Sequence, residues 1–115
     1  MFGDDEVQSV TEGNSFTINS DLTEMKDDDV IQWRIGDKNT LIAEINVTAD
    51  RITVYDDVLD GRFRDRLKLD NQTGSLTITN TRAEHEGEYL LMFTDLQMFP
   101  GRFSSKVFNV SVYGE

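Results

Sequence analysis

Apolar and polar residues alternate with a period of two along most of this chain. Phe16-Thr17-Ile18, Ile31-Gln32-Trp33-Arg34-Ile35 and Leu67-Lys68-Leu69 show it, as do Leu76-Thr77-Ile78 and Phe108-Asn109-Val110-Ser111-Val112. That period places apolar side chains on one face of a strand and polar ones on the other. Turn-forming clusters fall between the runs: Gly36-Asp37-Lys38-Asn39, Asn71-Gln72-Thr73-Gly74 and Pro100-Gly101. Many short strands with turns at this spacing predict an all-β antiparallel sandwich or barrel. Arg82-Ala83-Glu84-His85-Glu86 is the one helix-like stretch, and Gly87 closes it after a single turn. With no repeat, linker or low-complexity segment, the reading is one domain over residues 7–115 behind a loose acidic arm at 1–6.

Composition narrows the function classes. The 115 residues carry 11 Lys plus Arg against 22 Asp plus Glu, a formal charge of −11. A chain this long buries roughly 65% of its unfolded surface, enough for a core without metal staples. At 37% hydrophobic and 10% aromatic residues it is too apolar for a disordered acidic tail. The negative balance argues against nucleic acid, which Lys and Arg must neutralise, and against docking on anionic lipid. No apolar stretch reaches the length of a membrane span, so no direct membrane insertion is expected. Cysteine is absent, which fits a reducing compartment or an extracellular core large enough to dispense with a bridge.

Trp33 lies between Ile31 and Ile35, so its indole points into the core. Far downstream, Gly87-Glu88-Tyr89 opens the apolar run Leu90-Leu91-Met92-Phe93. A Tyr entering a strand just after a turn has the position of the tyrosine corner of immunoglobulin sandwiches. Gly74 to Asn80 resembles strand E of such domains, Asp65-Arg66-Leu67-Lys68-Leu69 strand D, and Glu12 to Ile18 the turn into strand B. Together these motifs resemble an immunoglobulin V-set domain over nearly the whole chain. The stretch from Trp33 to Arg66 has room for the extra C′ and C″ strands, with C′ expected at Leu41-Ile42-Ala43-Glu44-Ile45.

The resemblance also exposes departures. The positions that normally carry the inter-sheet cysteines are Ser20 and Leu91, with Leu91 expected to pack on Trp33. The strand D arginine is Arg66, and the position of its usual Asp partner holds His85. Glu84 or Glu86 could replace that partner, or the pair could be missing. Strand G lacks a Gly-x-Gly bulge, unlike antibody and T-cell-receptor variable domains. V-set domains without the bridge look most like the N-terminal domains of SLAM-type lymphocyte adhesion receptors, with the carcinoembryonic-antigen-related adhesion molecules a second comparison. The resemblance implies a cell-surface recognition domain that meets another immunoglobulin-superfamily domain, or a second copy of itself, through its GFCC′ sheet.

Strand parity marks a face for that contact. If Tyr89, Leu91 and Phe93 point inward, Leu90, Met92 and Thr94 point outward. Gln32 and Arg34 on strand C, and Ile42 and Glu44 on C′, are expected beside them. Leu96, Met98 and Phe99 add large apolar side chains in the following loop. Exposed apolar clusters rimmed by charge mark contact sites. Asn46, Asn71 and Asn109 begin Asn-x-Ser/Thr sequons and are glycosylation candidates.

Catalytic chemistry finds little support. His85 is the only histidine and has no cysteine to pair with. There is no phosphate-binding glycine loop and no zinc spacing. The acids Asp27, Asp28 and Asp29, and Asp56, Asp57 and Asp60, lack EF-hand spacing and read as solvated loops. No metal, cofactor or small-molecule substrate is expected. The reading is an extracellular recognition domain, either an ectodomain fragment of a cell-surface receptor or a secreted protein. The alternative is an intracellular structural domain of a modular array.

Overall fold

The computed structural model describes residues 6–21, 29–95 and 102–114. Asp27, Asp28, Leu96, Met98 and Phe99 lie outside the described residues, as does most of the expected N-terminal arm. Among the described residues nine strands run in chain order: β1 (Glu6–Thr11), β2 (Phe16–Ile18), β3 (Val30–Ile35), β4 (Thr40–Asn46), β5 (Arg51–Val54), β6 (Leu67–Leu69), β7 (Leu76–Ile78), β8 (Gly87–Asp95) and β9 (Arg102–Tyr113). They form a six-stranded sheet ordered β1-β9-β8-β3-β4-β5 and a three-stranded sheet ordered β2-β7-β6. Among the described residues the strand pairs are antiparallel except β1 with β9, which is parallel. This is the V-type immunoglobulin sandwich without a disulfide, with β2 to β9 as strands B, C, C′, C″, D, E, F and G. Glu6, assigned to the arm by sequence, already belongs to β1 opposite Phe108.

The core follows from parity. Phe16 and Ile18 from β2 and Leu76 and Ile78 from β7 are buried against Ile31, Trp33 and Ile35 from β3. Tyr89 and Leu91 from β8, and Phe108 and Val110 from β9, complete it. Trp33 and Phe108 rings lie 5.5 Å apart, tilted by 44°.

In place of a disulfide, the Trp33 indole bonds across the layers, and Ser20 holds the turn that receives it from within the smaller sheet. Ser20 and Leu91 are both fully buried, and Leu91 sits directly beside Trp33 in the β3–β8 register. Trp33 Nε1–H donates to the carbonyl of Gly74 at 2.7 Å, joining β3 to the turn that enters β7 in the other sheet. Ser20 Oγ donates to the Thr73 carbonyl, and the Ser20 amide donates to Ser75 Oγ at 3.1 Å. Gly74 is required here: its φ is +78°, and a Cβ would stand 2.8 Å from Ile31 Cδ1. A further tie lies at the same end. Lys106, on the inward face of β9 opposite Leu91, reaches Asp21 just after β2 with Nζ–Oδ2 of 2.7 Å.

Two stability changes follow. Leu91→Ala, which leaves a cavity beside Trp33, is expected to cost about 2–5 kcal/mol. Trp33→Phe keeps most of the ring but leaves the Gly74 carbonyl buried without its donor, an expected loss of about 1–3 kcal/mol. Urea unfolding of both variants measures these losses; a change below half of either lower bound would contradict the packing described.

Candidate recognition interface

Residues directly opposite in neighbouring strands share a face, so the register of the large sheet lays out its outer surface in rows. One row runs Phe103, Thr94, Val30, Asn46 and Arg51 across β9, β8, β3, β4 and β5. The next runs Ser105, Met92, Gln32, Glu44 and Thr53. The third runs Val107, Leu90, Arg34 and Leu41. Leu90, Met92, Thr94, Gln32, Arg34 and Glu44 therefore stand together and half-buried on one face, as parity placed them. Phe93, read as inward, is partly buried against the core.

Ile42 does not belong to that face. It is fully buried, because β4 carries a bulge between the partners of Trp33 and Arg34: Trp33 pairs with Ala43, and Arg34 with Leu41. The extra residue reverses the parity, so Ile42 and Ala43 both face the core and Leu41 takes the outward position. The largest exposed group on the face is one that the sequence reading passed over. Phe103 is 73% exposed at the β9 end of the first row. The signal was present: with Phe108 and Val110 inward, parity puts Phe103, Ser105, Val107 and Asn109 outward.

A polar chain runs through the middle of these apolar groups. Arg34 Nη1 donates to the Asn39 carbonyl at 2.9 Å, and Nη2 to Gln32 Oε1 at 3.0 Å. Gln32 Nε2 in turn donates to Glu44 Oε2 at 2.7 Å. Gln32 thereby links a cation on β3 to an anion on β4 and holds both side chains against the sheet. The three sequon asparagines occupy different places. Asn46 stands in the first row on β4, its Oδ1 accepting the Ala49 amide at 3.1 Å. Asn109 lies on the outer face of β9 between Val7 and Glu88. Asn71 is exposed in the turn after β6.

At the opposite end from the Trp33–Gly74 tie, the Arg66 site differs from the family pattern. Arg66 Nη1 donates to the Asn80 carbonyl, and neither glutamate replaces the missing Asp. Glu86 Oε1 accepts the Val112 amide at 2.9 Å. Glu84 lies 4.0 Å from His85 Nε2, outside hydrogen-bond reach. His85 is fully buried instead. Its Nδ1 accepts the Arg82 amide at 2.9 Å, and its Nε2–H donates to the Arg62 carbonyl at 2.6 Å. That pairing requires the neutral imidazole with the proton on Nε2. The ring lies 5.1 Å from buried Phe63, and the Tyr89 hydroxyl donates to the His85 carbonyl. The tyrosine corner is thus formed, and burial pushes the Tyr89 hydroxyl pKa up. With both ring nitrogens engaged by backbone and the side chain sealed, His85 is a structural latch with no access to a substrate.

Burial lowers the pKa of His85 from its ordinary 6.5, and the positive charges of Arg66 and Arg62 push the same way, against the Arg62 carbonyl and Glu84. The folded state therefore binds this proton less readily than the unfolded chain. The latch contributes fully above about pH 6.5, and its contribution falls as pH drops from there through the lowered pKa. Unfolding midpoints should decline across this range, and His85→Gln, which keeps a donor and an acceptor without titrating, should flatten the decline. A wild-type midpoint constant down to about pH 5 would contradict the neutral latch.

No protein-family model and no curated protein sequence matches the chain. Solved structures do. The SLAM-family protein CD84 superposes with a TM-score of 0.75 at 21% identity, covering 97% of this chain and 100% of that one. The first immunoglobulin-like domain of human CD48 gives 0.73 at 17%, covering 95% and 82%. The extracellular domain of the voltage-gated sodium channel β4 subunit, whose parallel homodimers explain its role in cell–cell adhesion, gives 0.69 at 13%, covering 100% and 96%. At these identities the likeness is one of fold.

Proposed function

We propose that this chain is an extracellular recognition domain of a cell-surface immune or adhesion receptor. It binds another immunoglobulin-like domain, a second copy or a different protein, through the outer face of β9, β8, β3 and β4. The observation that carries the reading is Phe103, 73% exposed, on the same sheet face as Leu90, Met92, Val107 and Leu41, which flank the Arg34–Gln32–Glu44 chain. An exposed aromatic on the same sheet face as half-buried apolar groups and a hydrogen-bonded charge chain is the composition of a contact site. The apolar groups supply affinity, and Arg34 and Glu44 set encounter rate and specificity. The folds of CD84, CD48 and the sodium channel β4 subunit support the same class. The well-formed C′ and C″ strands favour it over a structural domain of a modular array, for which a shorter middle is expected.

Sedimentation velocity over a wide concentration range tests the face. Phe103→Ser and Met92→Ser should each abolish concentration-dependent dimer while leaving the melting temperature within a few degrees of wild type. Lys68→Glu, on the other sheet, should leave the dimer intact. A wild-type chain that stays monomeric makes the partner a different domain, and binding to a panel of immunoglobulin-superfamily ectodomains becomes the readout. Binding unaffected by both face substitutions would sink the assignment.

A further inference from the structure

The chain holds three tyrosines, and their settings differ. Tyr89 is fully buried, with its hydroxyl given to the His85 carbonyl. Tyr113 is exposed, but Glu115 is its sole acidic neighbour within five residues. Tyr55 is also exposed, and among the described residues nothing hydrogen-bonds its hydroxyl. Within five residues of it stand Asp50, Asp56, Asp57 and Asp60, against Arg51 alone. It follows β5 directly, and its amide donates to the Ile42 carbonyl at 2.8 Å, which fixes its backbone to β4. The turn beyond is pinned to the segment before β6. Asp56 Oδ2 accepts the Asp65 amide at 3.4 Å, and Asp57 meets Arg64 at 3.0 Å with its carboxylate still largely in water. An exposed phenol therefore stands on fixed backbone at the head of an acidic turn.

We propose that Tyr55 is a site of tyrosine O-sulfation. In the transfer, the Tyr55 phenol oxygen forms a bond to the sulfur of a nucleotide phosphosulfate. The bond from that sulfur to the bridging phosphate oxygen breaks, the nucleotide phosphate leaves, and the phenol gives up its proton. An enzyme that holds so anionic a donor lines its cleft with basic groups, and a positive cleft draws an acceptor flanked by carboxylates. Of the three tyrosines, Tyr55 alone joins an exposed ring to such a flank. The alternation that turns Arg51 and Thr53 to the outer face continues to Tyr55. The sulfate thus stands at the β5 rim of the face assigned to recognition, a fixed anion whose oxygens suit a partner's arginine or lysine.

The proposal rests on the extracellular reading, because this transfer takes place in the secretory pathway. The test uses the whole chain secreted from eukaryotic cells behind a cleavable leader. Cleavage after Arg51 and Arg62 releases a peptide, 52–62, in which Tyr55 is the one tyrosine. That peptide should carry the mass of one sulfuryl group, localised to Tyr55 by electron-transfer fragmentation. The mass should survive phosphatase and vanish when the cells grow in chlorate, which blocks synthesis of the donor. Tyr55→Phe should remove it, and Asp56→Asn combined with Asp57→Asn should lower its occupancy several-fold, with Tyr113 unmodified throughout. An unmodified Tyr55, a mass that phosphatase removes, or equal modification of Tyr113 overturns the proposal. The leader carries the chain through the secretory pathway whatever its own destination, so an unmodified Tyr55 counts against the site and not against the extracellular reading. Failure of the recognition face is read separately, from Phe103→Ser.

Discussion

Two sheets stacked face to face need something to fix their spacing, and here the fixing contact is the hydrogen bond from the Trp33 indole to the Gly74 carbonyl. It forms only because the turn between β6 and β7 folds inward over the tryptophan, a path open to a residue with no side chain at position 74. The same turn receives Ser20 through both its amide and its hydroxyl. The magnitudes match the need. Losing a native disulfide costs a small domain about 2–5 kcal/mol. Buried hydrogen bonds contribute about 0.5–1.5 kcal/mol each, and full burial of a leucine such as Leu91 about 1.5–3 kcal/mol. The one inter-layer bond and the Leu91 side chain together reach the range of the bridge they replace, and the two Ser20 bonds hold the turn that makes the first possible.

The other end is closed by different means to the same effect. In the family pattern a strand D arginine meets an aspartate across the end of the sandwich. Here Phe63, His85 and the Tyr89 hydroxyl form a sealed, uncharged cluster, and the arginine bonds to a backbone carbonyl. His85 draws the Arg62 carbonyl on one side and the Arg82 amide on the other, so a single ring joins the segment before strand D to the turn before strand F. The substitution exchanges one pH dependence for another. A buried ion pair weakens when its carboxylate takes a proton, well into the acid range. A buried neutral imidazole resists a proton that the unfolded chain accepts already near pH 6.5.

The architecture was legible because its main signals are local. Period-two alternation locates strands, and the tryptophan and the Gly-Glu-Tyr turn locate strands C and F. What escaped is non-local or conformational. Ile42 was misplaced because a bulge has no compositional mark, and one inserted residue changes the parity between its two sides, here between Ala43 and Leu41. Arg66 found a carbonyl instead of a glutamate because the choice depends on where the 62–66 segment lands against the 82–85 turn. Leu59 and Asp60 adopt left-handed backbone, with φ of 54° and 61°, which neither residue type advertises. Phe103 is a different case. Its orientation follows from the same alternation that runs through Phe108, Asn109 and Val110.

The placement of the two closures bears on what the outer sheet is free to do. Both act between the layers or at the ends, so none of their groups lies on the outer surface of β9, β8, β3 and β4. That surface is left with a constellation suited to modest, selective contact. Arg34, Gln32 and Glu44 are already hydrogen-bonded to one another and to the sheet, so little rotamer entropy remains to be lost when a partner arrives. Such pre-ordering leaves the two charges as fixed features that a partner must match, which favours discrimination over strength. In the proposed contact, affinity falls to Phe103 and the half-buried aliphatic groups on the same face. A single exposed aromatic on a face whose other groups are half-buried is the arrangement from which a few residues can dominate an interface.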